Sequence, residues 1–107
     1  MKSTNLGEFE ELVMLTVGLL QSEAYGLGIK DELARRTGRT PSIGALHSAL
    51  TRLEEKGFLK SEYEGATDNR RGRRKRFYQL TSTGLEAVKA AHELRSEMIQ
   101  LIPNISL

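Results

Sequence analysis

Between Ser42 and Leu59 the apolar residues Ile43, Leu46, Leu50 and Leu53 recur at spacings of three, four and three, which stacks them on one side of a 3.6-residue helix. The opposite side carries Ala45, His47, Ser48, Thr51 and Arg52. Ser42 is placed to cap the helix start with its hydroxyl, and Gly57 to end it with a left-handed backbone. Ordinary solvated faces are rich in Glu and Lys, as this helix becomes at Glu54, Glu55 and Lys56. Its first half is instead small and hydrogen-bonding, the composition of a face made to fit against something.

The flanking segments are patterned too. From Leu6 to about Gln21 a helix is predicted, with Glu8, Glu10 and Glu11 in the first turn where the helix dipole favours negative charge. Leu12, Val13, Leu15, Val17, Leu19 and Leu20 go nearly all round it, so it should be buried on two sides, one of them available to another subunit. A second helix is expected from about Gly26 to Thr37, with Leu27, Ile29, Leu33 and Ala34 inward and Gly38 as its stop. Two helices joined by a short glycine-containing turn, the second polar at its start, match the helix-turn-helix whose second helix enters the DNA major groove.

After that helix, Phe58 to Glu64 and Lys75 to Thr81 read as strands, with Tyr78 and Leu80 on one face and Phe77 and Gln79 on the other. The intervening Gly65 to Arg74 is long for a hairpin loop, polar and basic at its tip. Such a hairpin is a wing, able to set Arg and Lys against phosphates or into the minor groove. A last helix begins at Thr81 to Gly84, with Thr81 as N-cap and Thr83 to Glu86 at capping-box spacing. Ala87, Ala91, Leu94, Met98 and Leu101 then form a heptad seam, closed by Pro103. About twenty residues of helix span roughly 30 Å, more than so small a domain covers. Dimerisation through this seam is therefore the expectation, with Leu12, Leu15 and Leu19 of the first helix in the same interface; the alternative is packing of the seam on the chain's own first helix.

The pattern thus predicts a mainly α chain with a small β-hairpin: a winged helix-turn-helix over residues 1–82 and a long C-terminal dimerisation helix over 83–107. At 107 residues there is room for one modest core. Cysteine is absent and the two histidines are far apart, a poor set for disulfides or metal, and no cofactor is expected. There is neither an apolar run of membrane-span length nor a signal-peptide pattern, which makes the cytoplasm the expected location. No nucleophile-base-acid set or glycine-rich phosphate loop is legible, so an enzyme is not expected.

Charge changes the picture more than composition does. Arg70, Arg71, Arg73, Arg74, Lys75 and Arg76 place six positive charges in seven residues, and removing them from the net charge of +2 leaves −4. A polyanion would be met at one place rather than over the whole surface. Alone, a basic run can equally be a solvated surface; beside a helix-turn-helix it reads as the wing's phosphate contacts.

The residues also resemble the PadR family of bacterial winged-helix transcription regulators. The family's Ser-x-Gly-(Thr/Ala)-Leu-Tyr pattern and its Arg-Leu-Glu-x-x-Gly-Leu continuation lie on Ser42, Gly44, Ala45, Leu46, His47, Arg52, Leu53, Glu54, Gly57 and Phe58. Its wing pattern lies on Gly72, Arg73, Lys75, Arg76, Phe77, Tyr78, Leu80, Thr81 and Gly84, and Tyr25, Gly26 and Ile29 are similar to the start of its second helix. His47 stands where the family usually has a tyrosine facing DNA, and Phe77 lacks a tyrosine hydroxyl. The resemblance implies a homodimer on a pseudo-palindromic operator in double-stranded DNA, with repression the family's habit. Ser42, Ala45, His47 and Ser48 are the candidate base contacts; Tyr25, Arg52, Arg70, Arg71, Arg73, Arg74 and Lys75 complete the candidate DNA-binding set. Arg52 is equally suited to a phosphate or to a salt bridge with Glu55 or Glu62. A small-molecule effector stays open, since some relatives sense aromatic or drug-like molecules, at times with a tryptophan that this chain lacks. The competing readings are a winged helix that binds protein without DNA, and an RNA-binding variant.

Overall fold

The computed structural model describes residues 6–64 and 75–104. Four helices and a hairpin follow one another: α1 (Glu8–Leu20), a 3₁₀ turn (Gln21–Glu23), α2 (Gly26–Thr37), α3 (Ile43–Glu55), β1 (Leu59–Tyr63), β2 (Arg76–Leu80) and α4 (Ser82–Leu101). The strands pair antiparallel with Leu59 opposite Leu80 and Tyr63 opposite Arg76. Tyr25 adds a single bridge to Phe77 on the far side of β2, where the Tyr78 N–H also donates to the Ala24 carbonyl at 2.9 Å. The hairpin is thereby tied to the entrance of α2.

The core forms where the apolar stripes converge on α1. Val13, Met14 and Val17 from α1, Ile29 and Leu33 from α2, and Leu46, Ala49, Leu50 and Leu53 from α3 are buried together with Leu59, Tyr78 and Val88. Ala34, expected inward, is only half-buried, and two other expected members are bare. The helical period points Leu27 and Ile43 inward, yet they are 60% and 50% exposed. Both stand in the first turn of their helices, on a groove that the hairpin borders through Tyr63 and Arg76 without filling it.

The helix ends follow local chemistry. The Ser42 hydroxyl accepts from the Ala45 N–H at 3.0 Å, and Gly38 and Gly57 take positive φ of 77° and 80°. At α4 the cap is Thr81 rather than a Thr83–Glu86 box. Its hydroxyl accepts from the Gly84 N–H at 2.9 Å and donates to the Gly57 carbonyl at 2.7 Å, with the Phe58 carbonyl at 3.1 Å. One side chain so joins the end of α3, the start of β1 and the start of α4. Gly84 is buried in this junction, and a Cβ on it would lie 2.2 Å from the Phe58 carbonyl oxygen.

Glu10 departs from its expected role. It lies in the first turn of α1, but rather than facing solvent it is only 9% exposed and receives Arg52 Nε at 2.8 Å and Lys56 Nζ at 3.2 Å. Arg52 belongs to α3 and Lys56 to its C-terminal cap. Burial alone would raise the Glu10 carboxyl; the hydrogen bonds from Arg52 and Lys56, the Lys56 charge and the Gly7 backbone outweigh that and hold it below the ordinary range. Arg52 accordingly pairs with Glu10 rather than with Glu55 or Glu62. Local sequence could not supply this pairing, because the two residues are 42 apart.

Val88 is the last buried residue of α4, although Arg95, two turns on, still pairs with Glu11 of α1. Gly84, Ala87 and Val88 are its buried residues, whereas Leu94, Met98, Ile99 and Leu101 are 56–73% exposed. The heptad pattern places Ala87 in a dimer seam; it is instead buried inside its own domain, because the first turns of α4 lie against α1 and the hairpin. Leu15 and Leu19 remain exposed, bordering with Leu85 a cleft of about 1150 Å³ between α1 and α4. Leu12 is half-buried against the core.

Gly84→Ala should lower stability by about 1–3 kcal/mol, the range for overpacking, while Gly44→Ala, whose Cβ would meet nothing within 4 Å, should leave it unchanged or raise it; urea denaturation of both variants checks this. Glu10→Gln should cost about 1.5–3 kcal/mol at pH 7, the worth of charge-assisted bonds. Because folding depresses this carboxyl, its contribution is present above the ordinary value of 4.5 and is lost as pH falls through the folded value. The gap between wild type and Glu10→Gln should therefore narrow on acidification, as read from denaturation midpoints at pH 7 and below 4.5.

Candidate nucleic-acid interface

With Leu46, Ala49, Leu50 and Leu53 buried, α3 has one remaining face. Ser42, Ala45, His47, Ser48, Thr51 and Arg52 are all exposed on it. His47, Ser48, Thr51 and Arg52 line one shallow depression that ends at Glu55. The side chains at the start of the helix are short, and Gly44 has open space where a Cβ would be. A flat, cap-terminated helix start allows another surface to approach the backbone closely.

His47 occupies the junction between this face and the hairpin. It lines the depression along α3 and also a groove shared with Ile43, Tyr63 and Arg76. Polar contacts hold the hairpin beside α3. The Ser61 hydroxyl donates to Glu54 at 2.7 Å and accepts from Arg76 Nε at 2.9 Å, while Arg76 Nη2 reaches the other Glu54 oxygen at 3.3 Å. The Arg76 guanidinium also lies 5.3 Å and 5.8 Å from the ring centroids of Tyr63 and Tyr78. Although it belongs to the basic run, Arg76 is thus bound within the fold.

Tyr25 and Lys75 meet at the hairpin base. The Tyr25 ring packs edge-on to Phe77, with centroids 5.5 Å apart, and Lys75 Nζ lies 4.4 Å from its centre. Tyr25 is half-buried here and fixes the hairpin against α2; Lys75 remains exposed next to the start of β2. Arg70, Arg71, Arg73 and Arg74 lie outside the described residues. Arg52 keeps about half of its side chain exposed despite the Glu10 pair.

The described candidates therefore fall into two neighbouring groups: the Ser42, Ala45, His47, Ser48 and Arg52 face of α3, and the Tyr25 and Lys75 base of the hairpin. Sequence reasoning missed the exposure of Ile43 at the groove between them, because a period count cannot tell whether a first-turn residue has a neighbour. It also missed the role of Glu10, whose acidic type fits a helix N-terminus whether or not it is buried.

Known proteins share this architecture. A structure of a PadR-like transcription factor from Bacteroides fragilis superimposes with a TM-score of 0.73 at 23% identity, over 86% of this chain and 84% of that one. A PadR family transcription regulator from Clostridium difficile gives 0.70 at 20% identity, over 87% and 93%. A transcriptional regulator from Clostridium thermocellum gives 0.66 at 22% identity, over 89% and 92%. Among curated proteins no sequence matches. The sequence pattern of the transcriptional regulator PadR-like family matches residues 15–90, which hold α2, α3, the hairpin and the buried start of α4. With its winged helix-turn-helix and most of its length matched, the chain belongs to the PadR-like family of transcriptional regulators, a family of regulators rather than enzymes.

Proposed function

We propose that this protein is a sequence-specific double-stranded DNA-binding repressor that acts in the cytoplasm as a homodimer on a pseudo-palindromic operator. The observation that carries the reading is the juxtaposition of two features: an exposed α3 face of short polar side chains, and beside it a hairpin whose connecting sequence holds Arg70, Arg71, Arg73 and Arg74. The first suits base edges in the major groove, where Ser42, Ala45, His47 and Ser48 would make the contacts. The second suits phosphates, with Lys75 at the hairpin base. Tyr25 acts by holding that base in place, and Arg52, fixed on one side by Glu10, has its exposed side for the backbone.

Dimerisation is supported by exposed apolar surface. Leu94, Met98 and Leu101 recur on α4, and Leu15 and Leu19 flank the cleft beside it. A second α4 laid across this surface would cover both, and on a pseudo-palindromic operator the two α3 helices would then sit about one helical turn (~34 Å) apart. Ala91, half-buried one turn past Ala87, would sit at the inner end of the contact.

Replacing Arg73 and Arg74 together by Ala should weaken binding to every duplex alike and flatten the dependence of log K on log salt by about 0.9 for each phosphate no longer neutralised; unchanged affinity and slope would remove the wing from the interface. Sedimentation at micromolar concentration should show a dimer that Met98→Glu converts to monomer, and a dimer indifferent to that change would place the contact elsewhere.

A further inference from the structure

Ile43 and Leu27 are the two aliphatic side chains left bare in the first turns of α3 and α2, at 50% and 60% exposure. Leaving such groups in water forgoes the hydrophobic stabilisation that burial would give. They border a groove of about 380 Å³ whose other walls include Gly26, His47 and Arg76. The groove opens directly beside the polar face of α3: Ser42 precedes Ile43, and His47 follows one helical turn later.

An occupant must match a small apolar patch set in polar surroundings. Two half-exposed side chains fall far short of the ~800 Å² that each partner covers in a stable protein interface, so this is no docking surface for a protein. Major-groove base edges present donors, acceptors and a single kind of apolar group, the C5 methyl of thymine. An aliphatic residue at the leading end of a helix that enters that groove has one chemically matched target there.

We propose that Ile43, which shares this groove with Leu27, packs against a thymine methyl and fixes a T at one position of each operator half-site. The inference rests on the DNA-binding reading given above and adds a specificity-determining residue to it. Ile43 then reads shape and apolarity at the start of the helix, while His47 supplies hydrogen bonding one turn further on. Gly44, beside them in the same turn, has open space where a Cβ would be and adds no bulk to this end of the helix.

The test uses full-length protein and duplexes enriched by it from random DNA, resynthesised with deoxyuridine in place of thymidine at one symmetric pair of positions at a time. Loss of the methyl at the proposed position should weaken binding about fourfold per half-site, the value of one buried methyl-sized group. Ile43→Ala should bind the thymidine and deoxyuridine duplexes equally at that position, and Ile43→Val should keep part of the preference. Ile43 is at an exposed helix start, so both variants should retain the wild-type unfolding midpoint. Wild-type protein that is indifferent to the methyl at every position, or an Ile43→Ala protein that keeps the full preference, would overturn the methyl contact while leaving DNA binding intact. Failure to enrich or retain any duplex would instead overturn the DNA-binding reading and this inference with it.

Discussion

The contact of α3 with α1, its apolar stripe and the Glu10 carboxylate together, is what the rest of the arrangement depends on. The stripe of Leu46, Leu50 and Leu53 determines which face of α3 packs on the core, though hydrophobic burial is non-directional and leaves room for small rotation of the helix about its axis. Charge-assisted hydrogen bonds do not tolerate it, since they require donor and acceptor within a narrow range of distance and angle. By holding Arg52 and Lys56, one turn apart at the end of α3, Glu10 fixes the roll of the helix. The buried stripe and this pin together leave Ser42, Ala45, His47 and Ser48 pointing away from the domain.

The hairpin obeys the same logic. Its apolar side, through Leu59, Tyr78 and Leu80, joins the core, but its position beside α3 is set by Glu54, Ser61 and Arg76 and by the Thr81 hydroxyl. Tyr25 and Phe77 fasten the opposite edge to α2. The exposed face of α3 and the hairpin are therefore two rigidly related surfaces. Rigid placement matters for binding, because groups ordered beforehand cost less conformational entropy when a partner is engaged.

Much of this is legible in the sequence, and the legible parts are those determined by near neighbours in the chain. The caps at Ser42 and Thr81, the left-handed glycines at positions 38 and 57, and the alternation of Phe77 to Leu80 follow from residues within a few positions of one another. What is not legible is decided at long range. The Glu10 to Arg52 pair spans 42 residues, and Arg76 looks like one more wing cation until Glu54, 22 residues away, is found beside it. Ile43, Leu27 and Ala87 show the same limit. A period states which face a residue is on, not whether anything lies opposite. In the candidate site, residue types on α3 are informative by themselves, whereas Tyr25, a DNA contact by its position in the sequence, has its ring packed against Phe77 and Lys75.

The central claim is that two copies of the α3 face, placed by a shared α4 contact, read an inverted repeat in duplex DNA. Selection of bound sequences from random duplex DNA by the full-length protein at low salt tests it most directly, because enrichment, symmetry and spacing are read together. The expected result is two inverted half-sites whose centres lie about one helical turn, ~34 Å, apart. Recovery of no enriched sequence, or of a single half-site without its inverted copy, would contradict it.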